Sequence, residues 1–233
     1  TEALQHDLNN LIDAIKEADK SYEQNKPFFS FVMTTSNHRP YTYPEGKIDV
    51  PSHTGTTGSV KYTDFAIHQL LETAKQKPWF KNTIFVIVAD HCAGSAGRSE
   101  LPVDRYEIPL FIYNPYLFEP KKIDTLASQI DIIPTILGLL NWSYDTMFFG
   151  RDIFNITKQD ERIFIGNYQK LGYVRDNILT ILSPVNQVSS YVFEKHSDFA
   201  KEIATDEALK KEAIAYYETS YQLYKDGKYK KDI

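Results

Sequence analysis

Apolar side chains recur every three or four positions in four stretches of this chain, a period typical of a helix with one buried face. The predicted helices span residues 2–25, 60–75, 129–140 and 206–226. Thr205 is the predicted N-cap of the last helix, and Gly227 is its predicted end. Asp64 and His68 lie one turn apart on the second helix, where we expect a solvated pair rather than a chelating one.

Short apolar runs without polar alternation lie between these helices, at residues 28–33, 83–89 and 108–113. Such runs are typical of strands buried on both faces inside a parallel sheet. Residues 123–127 form a shorter candidate for an edge strand. The order helix, strand, helix, strand, strand, helix predicts an α/β domain over residues 1–155, with a mostly parallel sheet flanked by helices.

The pattern changes after residue 155. Three strand-like runs follow one another at residues 162–168, 172–182 and 188–194, and no helical pattern separates them. Asp176 and Asn177 are suited to a tight hairpin turn within the second run. Residues 156–233 are therefore predicted to form a small antiparallel β meander followed by the C-terminal helix.

Two of the predicted strands end in side chains that are poorly suited to packing. The run 83–89 ends at Asp90 and His91, and the run 28–33 leads into a polar loop that contains His38. Ligand sites of open α/β sheets lie beyond the carboxyl ends of the strands, so we expect His38 to lie near Asp90 and His91. Each group alone also suits a plainer role, since Asp often caps a helix and a loop histidine is usually a surface residue.

Composition narrows the function classes. The formal net charge of −5 argues against a nucleic-acid partner, because proteins that bind nucleic acids usually carry an excess of basic residues. The single cysteine, Cys92, excludes an internal disulfide. No apolar run approaches the length of a membrane span. Because the chain begins at Thr1 rather than Met, we expect a fragment of a longer polypeptide, and a missing targeting segment then says nothing about compartment.

Four motifs, in order, resemble those of one enzyme family. They are SNHRPY at residues 36–41, VADHCAGSAG at 88–97, YEIPLFIY at 106–113 and SQIDIIPTIL at 128–137. The set is similar to sulfatases and lipoteichoic acid synthase-type phosphoglycerol transferases, within the alkaline phosphatase superfamily. The resemblance implies the C-terminal portion of a sulfatase-like catalytic domain with an alkaline phosphatase-like fold.

The resemblance also implies a divalent metal, Mn²⁺ before Mg²⁺, Ca²⁺ or Zn²⁺. Asp90 and His91 match two of its ligands, and His38 matches the substrate-binding histidine. Arg98 stands where a basic residue could hold a phosphate oxygen. In such enzymes the Thr or Ser nucleophile and the first acidic ligand precede the S-x-H-x-P turn, and residues 1–26 show no matching pattern. We therefore expect half of a metal site here and the nucleophile outside this chain.

The first function hypothesis is transfer of phosphoglycerol from a lipid to a cell-envelope glycan or polymer, through a covalent Thr or Ser intermediate. The alternatives are a sulfatase or phosphodiesterase of the same fold, and a non-catalytic binding domain with a vestigial metal pair. The first hypothesis places the chain at the extracytoplasmic face of a membrane, anchored through an upstream segment. The fragment alone is expected to be inactive, and its oligomeric state stays open.

Overall fold

The computed structural model of the chain describes residues 7–94, 100–194 and 200–230. The helices of this part are α1 (Asp7–Glu23), α2 (Thr56–Ala74), α3 (Ile132–Leu139) and α4 (Glu207–Lys225). The strands are β1 (Phe85–Val88), β2 (Leu110–Tyr113), β3 (Ile163–Gly166), β4 (Leu171–Arg175), β5 (Ile178–Ser183), β6 (Gln187–Phe193) and β7 (Ala200–Ile203). All four predicted helices are thus confirmed, with ends shifted by one to four residues. The predicted start of the first helix, at residues 2–6, lies outside the described residues.

The chain divides into two compact units. The N-terminal unit comprises Thr1–Phe85 and Ile112–Glu119, and the C-terminal unit comprises Val86–Phe111 and Pro120–Ile233. The division runs through β1 and β2, which pair in a two-stranded sheet. It follows contacts rather than changes in sequence pattern, so the predicted domain boundary between residues 155 and 156 stays a prediction.

The core of the N-terminal unit lies where α1 and α2 meet the turn that precedes β1. Its buried members are Ile15, Ala18, Ala74, Trp79 and Phe80. The Trp79 indole donates a hydrogen bond to Asp19 over 2.8 Å, which satisfies the polar atom of a ring that is otherwise buried.

The segment 28–33 is not a strand, contrary to its prediction. Phe28 packs edge-on against Trp79, but Phe29, Phe31 and Met33 are 84%, 77% and 62% exposed. An apolar run becomes a strand only when another backbone pairs with it, and the described part of the chain places no strand beside it. The predicted edge strand at 123–127 is wrong for the same reason.

β1 is a strand, as predicted, but it is not buried on both faces. Its side chains alternate between half-buried and exposed, with Val86 and Val88 37% and 38% exposed. The pair β1–β2 continues one step beyond β1, where the Ala89 N–H donates to the Pro109 carbonyl over 3.4 Å. That β1 and β2 belong to a larger, mostly parallel sheet stays a prediction.

The predicted antiparallel meander is confirmed in the C-terminal unit, with five strands in the order β3-β4-β5-β6-β7. Asp176 and Asn177 form the predicted turn, with φ of 52° and 59°, and split the run 172–182 into β4 and β5. β7 was not predicted, because its sequence Ala-Lys-Glu-Ile has little strand character. One face of the sheet carries the core of this unit, formed by Leu101, Ile163, Ile165, Val174, Leu179, Ile181 and Phe193.

α4 covers the other face of the sheet. Leu209 and Ala213 pack against Tyr173, and the Tyr217 hydroxyl donates to the Gly172 carbonyl over 3.0 Å. Burial raises the pKa of Tyr217 to about 12, so this hydroxyl keeps its proton at any physiological pH. The N-cap is Asp206 rather than the predicted Thr205, since the Asp206 carboxylate accepts from the N–H groups of residues 208 and 209. Gly227 ends the helix as predicted, with φ of 69°.

A buried ion pair joins α3 to the sheet. Asp131 and Arg162 have side chains that are 1% exposed, and Arg162 Nη1 lies 3.0 Å from Asp131 Oδ1 and 3.1 Å from Oδ2. The same carboxylate accepts from the N–H of Ser128 and from the N–H of Arg151, both over 2.8 Å. Arg162 Nη2 also donates to the Phe149 carbonyl over 2.5 Å. Three donor groups, Arg162 Nη1 and two backbone N–H groups, therefore compensate a carboxylate that has been taken out of water.

The backbone around Asp131 is equally constrained. The Thr135 hydroxyl donates to the Asp131 carbonyl over 2.6 Å and accepts from the Ile153 N–H over 3.2 Å. A side chain at Gly150 would place its Cβ 1.8 Å from the Ile130 carbonyl oxygen, so only glycine fits there. We call Asp131, Thr135, Gly150 and Arg162 the Asp131 knot.

Arg162→Met should lower the free energy of unfolding by about 3–5 kcal/mol, because the Asp131 carboxylate stays buried without its charged partner. Lys210→Met is the matched control, since it removes one cation from an exposed pair with Glu207 and should change stability little. Urea unfolding followed by circular dichroism measures both. A loss for Arg162→Met no larger than that of the control would contradict the knot.

Candidate metal and substrate site

Asp90 and His91 lie at the end of β1, as predicted, and both side chains are largely exposed, by 80% and 73%. Asp90 Oδ1 accepts from the His91 backbone N–H over 2.9 Å. His91 Nδ1 lies 2.6 Å from the Cys92 carbonyl oxygen. A carbonyl only accepts hydrogen bonds, so Nδ1 carries the ring hydrogen and Nε2 of the neutral ring keeps its lone pair. This is the arrangement of a metal-binding histidine, whose second nitrogen donates to a carbonyl or carboxylate.

Gln129 holds the backbone of this pair. Its side-chain amide donates to the Ala89 carbonyl over 3.1 Å and to the Asp90 carbonyl over 2.8 Å. Gln129 begins the 3₁₀ turn Gln129–Asp131, which Ser128 and Asp131 close with reciprocal side-chain hydrogen bonds. The Asp131 knot therefore fixes the amide that fixes Asp90.

The two side chains fit one cation. His91 Nε2 and Asp90 Oδ2 are 3.6 Å apart, close to the spacing of two ligands that each lie about 2.1 Å from a shared metal ion. A carboxylate with an imidazole suits a divalent cation such as Mn²⁺ or Zn²⁺. Within residues 7–94, 100–194 and 200–230, no group of three or more His, Cys, Asp or Glu side chains could hold a metal. The described chain thus offers two ligands and no third.

His38 lies in a tightly braced loop of the N-terminal unit. Its backbone N–H donates to the Thr35 carbonyl over 3.0 Å, and its carbonyl accepts from the Tyr41 N–H over 2.8 Å. The exposed ring places Nδ1 2.9 Å from the Arg39 carbonyl, so Nδ1 donates here as well. Nε2 is thereby left to face solvent, where it can donate a hydrogen bond only when the ring is protonated.

Asp7 anchors the start of the His38 loop. This buried carboxylate accepts from the N–H of Thr35 over 2.7 Å, from the N–H of Ser36 over 3.3 Å and from the Thr63 hydroxyl over 3.2 Å. One side chain in the first turn of α1 therefore links the loop to α2.

Of the predicted site residues, the structure brings together Asp90 and His91. His38 belongs to the other unit, so its closeness to that pair stays a prediction. Arg98 lies outside the described residues, and its role also stays a prediction. Asp64 and His68 are both exposed on α2, as expected of a solvated pair.

Sequence reasoning missed Asp7 and Gln129. Asp7 stands at the start of an amphipathic helix, where an acidic residue is ordinary because it complements the helix dipole. Its partners are 28, 29 and 56 residues away. Gln129 follows Ser128 directly, and a capping signal at Ser128 and Asp131 would have marked the turn, although not the contact with Asp90.

Asp7→Ala should lower the free energy of unfolding by about 2–4 kcal/mol, because three donors would be left without an acceptor in a buried place. Asp13→Ala is the matched control on the exposed face of α1, where Asp13 forms an exposed ion pair with Lys16. Chemical denaturation gives both values. Equal effects of the two changes would show that the Asp7 contacts do not hold the loop.

Comparison with known proteins relates this chain to one enzyme family. The family model described as Sulfatase matches residues 5–142. Lipoteichoic acid synthase 2 of Bacillus subtilis is 28% identical over 154 residues, which cover 56% of this chain and 23% of that protein. An endo-4-O-sulfatase of Bacteroides thetaiotaomicron is 26% identical over 166 residues, which cover 58% of this chain and 33% of that protein.

A solved structure extends the likeness to nearly the whole chain. The crystal structure of a protein in the alkaline phosphatase superfamily from Vibrio parahaemolyticus matches with a TM-score of 0.90 and 33% identity. The match covers 97% of this chain and 56% of the Vibrio chain, so it includes the five-stranded sheet and α4. The chain thus spans only part of the length of each of these relatives. Since the family model covers more than half of it, the chain belongs to the sulfatase family, with an alkaline phosphatase superfamily fold.

Proposed function

We propose that this chain is part of a metal-dependent phosphoglycerol transferase that moves a phosphoglycerol group from a lipid to a cell-envelope glycan or polymer. The nucleophile, a Thr or Ser, and the first acidic metal ligand then belong to residues outside this chain. The observation that carries the proposal is the pair Asp90–His91. The two candidate ligand atoms, Asp90 Oδ2 and His91 Nε2, lie 3.6 Å apart. The hydrogen bond from His91 Nδ1 to the Cys92 carbonyl orients the ring and leaves the lone pair of Nε2 free. The likeness to lipoteichoic acid synthase 2 supports the substrate class.

Asp90 and His91 would hold the metal, for which Mn²⁺ is the first choice and Mg²⁺, Ca²⁺ and Zn²⁺ are the others. When bound, such an ion lowers the pKa of an attacking hydroxyl and neutralises phosphoryl oxygens. Gln129 keeps the backbone of Asp90 in place, so the carboxylate need not reorganise during the reaction.

His38 would bind the phosphoryl group. Because its Nδ1 is committed to the Arg39 carbonyl, the hydrogen bond to a phosphate oxygen must come from a protonated Nε2. The same imidazolium could give its proton to the leaving alcohol as the bond to phosphorus breaks. Arg98 would hold a second phosphate oxygen.

A hydrolase of the same fold is the second candidate, a sulfatase or phosphodiesterase. The likeness to the endo-4-O-sulfatase favours it, since that match covers slightly more of this chain. In a phosphodiesterase, water rather than an alcohol would accept the phosphoryl group. In a sulfatase, water would accept a sulfuryl group from a sulfate ester.

The transferase proposal places the site at the extracytoplasmic face of a membrane. Among the residues that the structure describes, no helix has both the length and the apolar content needed to cross a bilayer. The proposal includes a membrane-spanning anchor in a segment upstream of this chain.

The 233-residue chain should bind Mn²⁺ weakly, with a Kd above about 1 mM, because two ligands contribute too little to offset the loss of the ion's hydration. His91→Ala should abolish the remaining binding, while His68→Gln, an exposed histidine on α2, should leave it unchanged. Isothermal titration calorimetry measures the three proteins. Tight stoichiometric binding would show that this chain completes the site itself.

The activity test uses the longer polypeptide that contains this chain, with Mn²⁺ and phosphatidylglycerol that carries a labelled headgroup. We expect release of diacylglycerol together with transfer of label to a polymer acceptor. His91→Ala should lower the rate at least about 100-fold and His38→Gln about 10- to 100-fold, through the losses of a metal ligand and of a proton donor. His68→Gln again serves as the control.

The products separate the candidates. Free glycerol phosphate in place of labelled polymer would favour the hydrolase. Full activity of His91→Ala would contradict a role of the Asp90–His91 pair in either reaction and favour a binding domain with a vestigial metal pair.

A further inference from the structure

Two hairpin tips of the five-stranded sheet expose apolar side chains almost completely. Tyr168, in the β3–β4 connection, is 97% exposed, and Val185, in the β5–β6 connection, is 90% exposed. Leu171, at the start of β4, is 41% exposed beside them. In a meander the first and third connections lie at the same end of the sheet, here two strand spacings apart, or about 10 Å. We call residues 167–170 and 184–187 the two tips.

The first tip is rigid rather than loose. The Asn167 N–H donates to the Lys170 carbonyl, and the Asn167 side-chain oxygen accepts from the N–H groups of Gln169 and Lys170, over 3.0 to 3.1 Å. Lys170 forms an ion pair with Glu100 over 2.5 Å. The exposed ring of Tyr168 therefore stands on a fixed base.

The second tip carries an unfavourable residue for its backbone. Val185 and Asn186 have φ of 60° and 57°, and the Gln187 N–H donates to the Pro184 carbonyl, as in a type I′ turn. A β-branched side chain is disfavoured at positive φ, where Asn, Asp and Gly are favoured. The turn at the opposite end of the sheet has the same geometry and uses Asp176 and Asn177. Val185 thus combines backbone strain with exposure to water, and neither favours the isolated fold.

The tips carry little charge. Their eight residues include one lysine, which pairs with Glu100, and no carboxylate, in a chain with a formal net charge of −5. An acidic protein can approach an anionic bilayer most closely through such a region. Tyrosine and aliphatic side chains are also the ones that enter the boundary between headgroups and acyl chains.

The first tip also lies close to the Asp90–His91 pair. The Phe164 N–H donates to the Ser128 hydroxyl, and Gln129 binds the Asp90 carbonyl, so the start of β3 lies beside the metal pair. Tyr168 lies four residues beyond Phe164 along the chain, a span of at most about 13 Å.

We propose that the two tips insert Tyr168 and Val185 into the headgroup region of a lipid bilayer and so hold the Asp90–His91 pair near a lipid-linked substrate. The proposal deepens the proposed function and depends on it for the lipid nature of the substrate. Membrane contact through the tips also accounts for a valine at a position where the turn geometry favours asparagine.

The test is sedimentation of the 233-residue chain with vesicles of phosphatidylcholine and phosphatidylglycerol. Tyr168→Ser and Val185→Asn should each weaken vesicle binding about 5- to 10-fold, because each removes an inserted apolar side chain. Tyr221→Ser, which changes a 63% exposed ring on α4, should leave binding unchanged. Val185→Asn should also raise Tm by about 2–4 °C, since it relieves the turn. Weaker binding by a more stable protein cannot come from misfolding.

Failure of the wild-type chain to sediment, or equal losses in all three variants, would overturn the proposal. Loss in Tyr168→Ser alone, with competition by soluble polysaccharide, would also overturn it and would assign the ring to a glycan. Transfer from detergent-solubilised donor without vesicle binding would overturn the tips and keep the proposed function. Vesicle binding by the chain, with no transfer activity in the longer polypeptide, would keep the tips and overturn the proposed function.

Discussion

The buried carboxylate of Asp131 is the group on which the candidate site depends. It accepts hydrogen bonds from Arg162 and from two backbone N–H groups, and it closes the 3₁₀ turn that begins at Gln129. A buried carboxylate tolerates few alternative geometries, because the loss of any one hydrogen-bond donor leaves its desolvation uncompensated. The turn is therefore fixed, and with it the Gln129 amide that binds the backbone of Asp90. The motif D-x-x-P-T at residues 131–135 is thus explained by structure as well as by family membership.

The N-terminal unit repeats this arrangement on a smaller scale. Asp7 accepts hydrogen bonds from the loop that carries His38, as Asp131 accepts them from the backbone beside Gln129, which binds Asp90. In both cases a buried acid holds the backbone, while the chemically useful groups stay exposed. Exposure fits the proposed function, in which a phosphate ester and a metal ion would reach His38, Asp90 and His91 from solvent.

The sequence predicts those parts of the fold that depend on local pattern. Helical periods, the Asp176–Asn177 turn and the Asp-His pair at the end of β1 all follow from neighbours in sequence. The Asp131–Arg162 pair spans 31 residues and carries no local signal. The same limit explains the error at 28–33, where hydrophobicity is present but the pairing backbone is not. The prediction of Thr205 as the N-cap is wrong by one residue. Thr205 and Asp206 are both good caps, and only the backbone geometry decides between them.

The central claim is that this chain supplies two ligands of a divalent metal, Asp90 and His91, arranged in advance by the Asp131 knot. Pulsed electron paramagnetic resonance of the chain at millimolar Mn²⁺ tests it most directly, because it detects the nitrogen of a bound histidine. The account predicts coupling to one imidazole nitrogen, which disappears in His91→Ala and persists in His38→Gln and His68→Gln. Coupling that survives in His91→Ala would contradict the account.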